Sequence, residues 1–204
     1  MKKFILTSCL SFITMSMFAF TPLRFGVQIG VNSNKTDKDN ISNGGYSLGI
    51  FTEIPTIGQL YLCPGLNFTQ KTSTLSYKHI GFGGYYVGKD ELKINYLEIP
   101  ILFKYKFLAD KTIPIFVSVG PTFSFGLNGT KGDNYKDIFK DLKNGSNIYA
   151  SKFDLGLNAN IGIEIFNKSQ VSLGYNVGTS EVNKEAKAQK TKNRTITLSI
   201  AYLF

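Results

Sequence analysis

The chain has 204 residues and a net charge of +9, from 23 basic and 14 acidic side chains, with one histidine, two cysteines and no tryptophan. So few histidines and cysteines exclude a multi-ligand zinc site and a disulfide framework, and we predict no metal and no cofactor. The length suits one domain of all-β size.

The N-terminus has the layout of a secretory signal peptide. Lys2 and Lys3 precede an apolar run that extends from Phe4 to Phe20. With cleavage near Ala19, we predict a signal peptide at residues 1–19 and one barrel domain at residues 20–204.

Two alternatives stay open for this segment: a retained N-terminal anchor and a lipoprotein box at Leu6–Cys9. Loss of the two lysines with a cleaved signal lowers the net charge from +9 to +7. Cys63 is then the single cysteine of the mature chain, so no disulfide forms within it.

From residue 23 onward, bulky apolar residues alternate with small or polar ones, which is the period of a β-strand. In chain order, the alternating segments are Leu23–Asn32, Tyr46–Ile54, Leu60–Phe68, Leu97–Phe107, Ile115–Leu127, Phe153–Ile165, Val171–Gly178 and Thr195–Phe204. The sequence therefore predicts eight strands.

The bulky face of each segment decides between a soluble and a membrane barrel. Several segments have ten or more residues, about the length with which a tilted strand crosses a bilayer. Their other face is rich in Gly, Asn and Ser and carries few charges, which suits a narrow polar lumen. We predict an all-β, eight-stranded antiparallel up-and-down transmembrane β-barrel.

The predicted connections alternate between long and short. The long ones cover residues 34–45, 72–93, 128–151 and 179–193, and the short ones residues 56–59, 108–114 and 167–168. Outer-membrane barrels have long external loops and tight periplasmic turns, so this alternation predicts an outer-membrane protein with both termini in the periplasm.

Charged residues on the small, inward face predict a lumen network that pairs across the barrel, because an unpaired ion there is costly. The predicted members are Arg24, Glu53, Glu98, Lys104, Asp154 and Glu164. We expect Lys106, on the same face, to lie at a wet strand end.

Two of the long connections carry candidate contact residues. Apolar side chains at helical spacing predict a short amphipathic helix that packs on neighbouring loops or contacts a partner: Tyr135, Ile138, Phe139 and Leu142. Basic residues in the last long connection suit lipopolysaccharide phosphates or an acidic ligand, although a solvated loop explains them equally well: Lys184, Lys187, Lys190 and Lys192.

The chain ends Ala201-Tyr202-Leu203-Phe204, and with the features above it resembles small bacterial outer-membrane barrels of the OmpA and OmpX type. That resemblance implies that Tyr202 and Phe204 form the signal read by the barrel-assembly machinery. The run Asn95–Tyr105 and the tripeptide Val119–Pro121 are similar to the PorT-like outer-membrane β-barrel family. Such barrels have diverse roles, so the resemblance implies location rather than activity.

We therefore expect a non-enzymatic outer-membrane barrel whose loops contact lipopolysaccharide or an envelope or surface protein, with outer-membrane lipid around it. One alternative is a lipid A-modifying enzyme centred on His79, with Ser73, Ser76, Asp90 and Glu91 nearby in sequence. Another is a soluble secreted barrel with an apolar ligand inside. Nucleic acid is excluded as a partner, because the basic residues are scattered over separate loops.

Overall fold

The chain forms a closed eight-stranded antiparallel barrel, so the predicted fold class is confirmed. The computed structural model describes residues 23–36, 43–81, 84–108, 112–131, 153–178 and 193–204. The strands are β1 (Arg24–Thr36), β2 (Asn43–Pro55), β3 (Leu60–Gly81), β4 (Gly84–Phe107), β5 (Ile115–Lys131), β6 (Phe153–Ile165), β7 (Ser169–Gly178) and β8 (Asn193–Leu203). Each strand pairs with the next in sequence, and β8 pairs with β1. No helix among the described residues is long and apolar enough to span a membrane.

The bulky apolar side chains face outward. Val31 and Leu157 are 63% and 57% exposed on this face, whereas Thr122 and Ser124 on the opposite face are 1% and 3% exposed. This distribution puts the polar residues in the lumen and the apolar ones where lipid would lie. A soluble barrel with an apolar interior is therefore the wrong interpretation.

Small inward residues leave room for large polar neighbours. Three lumen asparagines lie directly opposite a glycine on the adjacent strand: Asn32 opposite Gly45, Asn67 opposite Gly49 and Asn160 opposite Gly174. A Cβ atom added to these glycines would lie 2.5, 1.9 and 2.3 Å from the respective asparagine Oδ1. The asparagine side chain therefore occupies the space beside each glycine, and at Gly45 the Gln70 carbonyl oxygen lies closer still to the added Cβ atom.

The second long connection differs from its prediction. β3 and β4 have 22 and 24 residues and pair without interruption from Asn67↔Glu98 to Gly81↔Gly84. The segment predicted as loop is thus a β-hairpin. Its sequence lacks strict apolar alternation, but it contains three Tyr, two Thr, one Val and one Ile, which are residue types that favour strands.

The start of β1, the end of β8 and the short connections share one end of the barrel, named the turn end, and the other end is the loop end. The turn Ile165–Lys168 has positive φ at both central residues, 50° at Phe166 and 60° at Asn167. The Lys168 N–H donates to the Ile165 carbonyl at 3.2 Å. Those features define a type I′ turn, whose twist matches that of a tight β-hairpin.

Candidate functional site in the barrel lumen

Six polar side chains from five strands meet inside the barrel at the turn end. This basal cluster consists of Arg24, Glu53, Lys104, Lys106, Glu164 and Gln170. They lie on β1, β2, β4, β6 and β7, so the closed barrel brings them together from distant parts of the sequence.

Glu53 is the most connected member of the basal cluster. Its Oε1 accepts from Lys104 Nζ at 2.6 Å and from Gln170 Nε2 at 2.8 Å. Its Oε2 accepts from Lys106 Nζ at 2.8 Å and from Arg24 Nη1 at 3.1 Å. With 0% of the residue exposed, these four donors replace water completely around the carboxylate.

Glu164 is the second carboxylate of the basal cluster and is also 0% exposed. Arg24 Nη1 and Lys106 Nζ reach it at 3.0 and 2.8 Å. Gln170 Nε2 donates to both carboxylates, while Gln170 Oε1 accepts from Lys104 at 3.0 Å. Arg24 Nη2 also donates to the Asn167 carbonyl, which ties the cluster to the β6–β7 turn.

Three cations and two carboxylates give the basal cluster a formal charge of +1. Aromatic rings adjoin the two ammonium groups: Lys104 Nζ is 4.4 Å from the centroid of Phe116, and Lys106 Nζ is 4.6 Å from that of Tyr61. The negative faces of such rings stabilise desolvated cations. The basal cluster thus brings three cations and two carboxylates into direct contact inside the barrel at the turn end.

A second, smaller charged group lies nearer the loop end. Glu98 Oε1 is 2.7 Å from Lys71 Nζ, and Thr69 and Ser124 donate to the carboxylate at 2.8 and 3.2 Å. Lys71 Nζ also lies 5.1 Å from the Tyr96 ring centroid. This Glu98 group therefore has one cation and two hydroxyl donors, whereas Glu53 has three cations.

Four of the six predicted lumen residues belong to the basal cluster: Arg24, Glu53, Lys104 and Glu164. Glu98 pairs with Lys71 rather than with the basal cluster. Asp154 lies opposite Ser124 on the β5–β6 ladder. The expectation for Lys106 was wrong, because this residue is 3% exposed and its ammonium contacts both basal carboxylates.

Sequence reasoning missed Lys71 and Gln170. Both lie just beyond the predicted strand limits of Phe68 and Val171, and both continue the inward alternation of their strands. Extending each alternating segment by a few residues would have found them. The structure also brings inward two bulky aromatics, Phe51 and Phe116, that the alternation assigns to the small face.

A polar chamber of about 100 Å³ separates the two charged groups. Its walls include Lys104 and Gln170 toward the turn end and Lys71 and Glu98 toward the loop end. Most other wall residues carry amides or hydroxyls, and Asn158 Oδ1 in the wall has no hydrogen-bond partner among the described residues. Such a volume holds about three water molecules.

The family profile described as "Outer membrane protein beta-barrel domain" matches residues 15–195. The chain belongs to this outer-membrane barrel family. Membership agrees with the apolar outer face, and it locates this outer-membrane barrel in a bacterial outer membrane. A comparison with curated proteins found no match.

Among solved structures, the outer-membrane barrel is similar to the outer membrane enzyme PagL, with 15% identity, a TM-score of 0.52, and 85% of this chain and 97% of PagL covered. Neisserial surface protein A has 14% identity, a TM-score of 0.49, and coverage of 88% and 97%. Ail of Yersinia pestis has 10% identity, a TM-score of 0.49, and coverage of 90% and 100%. At 15% identity the likeness to PagL shows the fold alone.

Other predicted site residues of this outer-membrane barrel lie at its ends. Tyr202 and Phe204 are exposed at the turn end, with ring centroids 5.2 Å apart. The predicted signal peptide, the helix residues Tyr135, Ile138, Phe139 and Leu142, and the lysines 184, 187, 190 and 192 lie outside the described residues. In the described part of the chain, no three His, Cys, Asp or Glu residues are grouped as a metal site would need.

Proposed function

We propose that this chain is a non-enzymatic outer-membrane barrel that recognises a protein partner at the cell surface through the hairpin of β3 and β4. The loop end then faces outward and both termini lie in the periplasm, after removal of a signal peptide. Assembly through the barrel-assembly machinery and a relation to PorT-like barrels belong to the same proposal. The observation that carries it is the extent of the hairpin beyond its neighbouring strands.

The hairpin has two free edges among the described residues. Pairing between β2 and β3 ends at Tyr46↔Gln70, and pairing between β4 and β5 ends at Leu92↔Lys131. Beyond these pairs, residues 73–81 and 84–91 pair with each other alone within the described chain. At 3.3 Å per residue, this segment extends roughly 25–30 Å beyond the paired wall.

Free strand edges present unpaired N–H and C=O groups, and these groups can add a strand from another chain. Strand addition needs no pocket and no catalytic residue, so it suits a hairpin that stands away from the lumen. The basal cluster supports the same assignment, because a lumen filled with paired charges at the turn end provides a rigid base for an extended recognition element.

Lipopolysaccharide contact through Lys184, Lys187, Lys190 and Lys192 is a further part of the proposal. Basic side chains near an anionic lipid surface each contribute about 1 kcal/mol of attraction. Four lysines on one connection would therefore help to hold the loop end in the lipopolysaccharide layer, while the hairpin reaches past it.

Catalysis at His79 finds no support in the backbone register. His79 lies opposite Tyr86, whereas Ser76 lies opposite Lys89 and Asp90 opposite Leu75. The serine and the acid are thus three or more residue steps from the histidine, about 10 Å or more along a strand. A nucleophile, base and acid must instead be within hydrogen-bond reach of one another.

Site-specific photocrosslinking in intact cells tests the proposal. A photoreactive amino acid at Tyr85 in the hairpin should yield a discrete protein adduct, whereas the same group at Leu157 on the lipid-facing wall should not. Proline at Tyr86 or at Val87 supplies a matched pair of variants, because successive amides on a strand point to opposite edges.

One of the two proline variants removes an amide that faces β3, and the other removes an amide at the free edge. We expect the free-edge variant to abolish the adduct while the barrel still shows its heat-dependent gel mobility. An adduct that survives both prolines would contradict strand addition at the edge of β4, and one that is equally strong from Leu157 would contradict recognition by the hairpin.

A further inference from the structure

The wall of the barrel is interrupted between β2 and β3. Residue pairs run without a gap from Tyr46↔Gln70 to Phe51↔Gly65 and resume at Ile54↔Leu62. The pairs that the ladder skips are those of Thr52 with Pro64 and of Glu53 with Cys63. Pro64 explains the gap, because proline has no N–H to donate to a neighbouring strand.

The interruption continues across the next two strand interfaces. The β3–β4 ladder skips two pairs, that of Pro100 and the next one, and the β4–β5 ladder skips two pairs, that of Pro121 and the next one. Pro64 lies opposite Ile101, and Pro100 lies opposite Thr122, so the three prolines form one continuous diagonal. Prolines are normally confined to edge strands or bulges, so this diagonal is a weakened line in a wall without edges.

An apolar groove of about 420 Å³ lies beside Pro64, at the first of the three prolines, and residues of β1, β2 and β3 line it. Phe25, Val27, Ile50, Pro64 and Leu66 contribute to its walls. At Gly65 in this groove, an added Cβ atom would lie 3.1 Å from the Ile50 carbonyl oxygen and 3.3 Å from both Phe51 Cβ and Pro100 Cγ, so the missing side chain lets Phe51 and Pro100 pack closely against the wall.

The polar chamber lies directly behind the groove. Cys63, Pro100 and Lys104 line the chamber, and Phe51 lines both the chamber and the groove. Phe51 is therefore the residue that the linings of the two spaces share, next to the skipped pairs of Thr52 and Glu53. The Phe51 ring centroid is 5.3 Å from Lys104 Nζ.

We propose that this interrupted wall is a lateral binding site for a long-chain fatty acid, with the alkyl chain in the groove and the carboxylate beside Lys104. A lysine ammonium has three N–H donors, and the described contacts of Lys104, to Glu53 and Gln170, use two of them. The basal cluster has a formal charge of +1, so one additional carboxylate neutralises it.

The size of the chamber selects the head group. A planar carboxylate has three heavy atoms and fits a volume of about three water molecules, whereas a branched glycerophosphate head is too large. The groove provides little affinity, because hydrocarbon gains nothing when it moves from lipid to another apolar surface. Selectivity must therefore come from the charged head in the chamber.

Tryptophan fluorescence tests the site directly, because the chain contains no tryptophan. Phe51→Trp places a single fluorophore in the shared wall of protein folded in phosphatidylcholine vesicles. Stearic acid brominated in mid-chain is the quencher, at alkaline pH where it is ionised, and its methyl ester is the matched control. We expect saturable quenching by the acid at a bilayer fraction about tenfold lower than for the ester, as for loss of one charge-assisted hydrogen bond.

Ile161→Trp provides a control position on β6, where the native side chain is 55% exposed on the outward face. Its quenching should rise without saturation and equally for acid and ester. If the folded Phe51→Trp protein behaves in the same way, the proposed site is wrong. Should Phe51→Trp lose its heat-dependent gel mobility, Leu66→Trp in the groove replaces it, and the same absence of an acid preference would overturn the proposal.

Discussion

Replacing Glu53 with alanine should lower the free energy of unfolding by about 3–5 kcal/mol, the range for removing one partner from a buried charge pair. The variant leaves three cations of the basal cluster with Glu164 as their one carboxylate. Lys104 is affected most, because its ammonium contacts Glu53 and Gln170 and its side chain is 6% exposed. A desolvated cation without a carboxylate accounts for the size of the effect.

Glu98→Ala is the matched comparison. Its cation, Lys71, has a side chain that is 11% exposed, and the other two donors are hydroxyls. We expect a smaller loss, about 1–3 kcal/mol, which also lowers the unfolding temperature in detergent micelles. The difference between the two losses of stability thus measures how much more a network of several charges contributes than a single ion pair.

Urea unfolding of protein folded in phospholipid vesicles, followed by circular dichroism, measures both losses. In the double variant Glu53→Gln with Lys104→Met, the cluster regains its +1 charge, and a coupling energy of about 1–3 kcal/mol should appear. A loss for Glu53→Ala below about 1 kcal/mol, typical of exposed pairs, would refute a buried network, as would a loss no larger than that of Glu98→Ala.

Three further predictions concern packing and topology. Gly120→Ala should destabilise the barrel by about 1–3 kcal/mol in the same urea assay, because its Cβ atom would lie 2.1 Å from the Ile101 carbonyl oxygen. Gly44→Ala is the control and should be neutral, because no atom lies within 4 Å of its added Cβ. Equal stabilities of the two variants would contradict this packing. Cys63 is 4% exposed, so it should react with a maleimide after unfolding in hot detergent and stay unlabelled in folded protein. Rapid labelling of the native barrel would contradict the burial of this thiol. In whole cells, a maleimide that cannot cross the membrane should label Gly88→Cys in the hairpin. It should label Ile57→Cys, at a turn position that is 84% exposed, only after the cells are permeabilised. The reverse labelling pattern would show the opposite orientation of the barrel.

The fold was predictable because alternate residues of each strand face lipid and the polar lumen. A strand between lipid and a narrow lumen must alternate, so segments such as Phe153–Ile165 in β6 were located with their final limits. The alternation fades where a strand leaves the lipid, since its outer face then meets water. The hairpin of β3 and β4 was therefore predicted as a loop, although its backbone pairing continues to Gly81 and Gly84.

The lumen contacts were less predictable than the lumen residues. Glu53 and Lys106 are 53 residues apart and lie on β2 and β4, which are not adjacent strands. Which inward residues meet depends on the stagger of the whole barrel, and alternation within single strands carries no such information. Lys106 also shows how a long alkyl stem brings a charge from a strand end into the interior.

The pairs of asparagine and glycine on neighbouring strands of the lumen have a consequence for how the sequences of such barrels diverge in evolution. Asn67 fills the space above Gly49, and Asn160 fills the space above Gly174, so each pair occupies one shared volume. At Gly174, where the Thr197 carbonyl oxygen lies 3.7 Å from an added Cβ atom, a larger residue should fit when Asn160 becomes small, whereas at Gly49 the Leu66 carbonyl oxygen, at 2.8 Å, would also have to shift. Among related sequences, lumen positions on neighbouring strands should therefore vary as reciprocal pairs, while the lipid-facing positions drift independently among apolar residues.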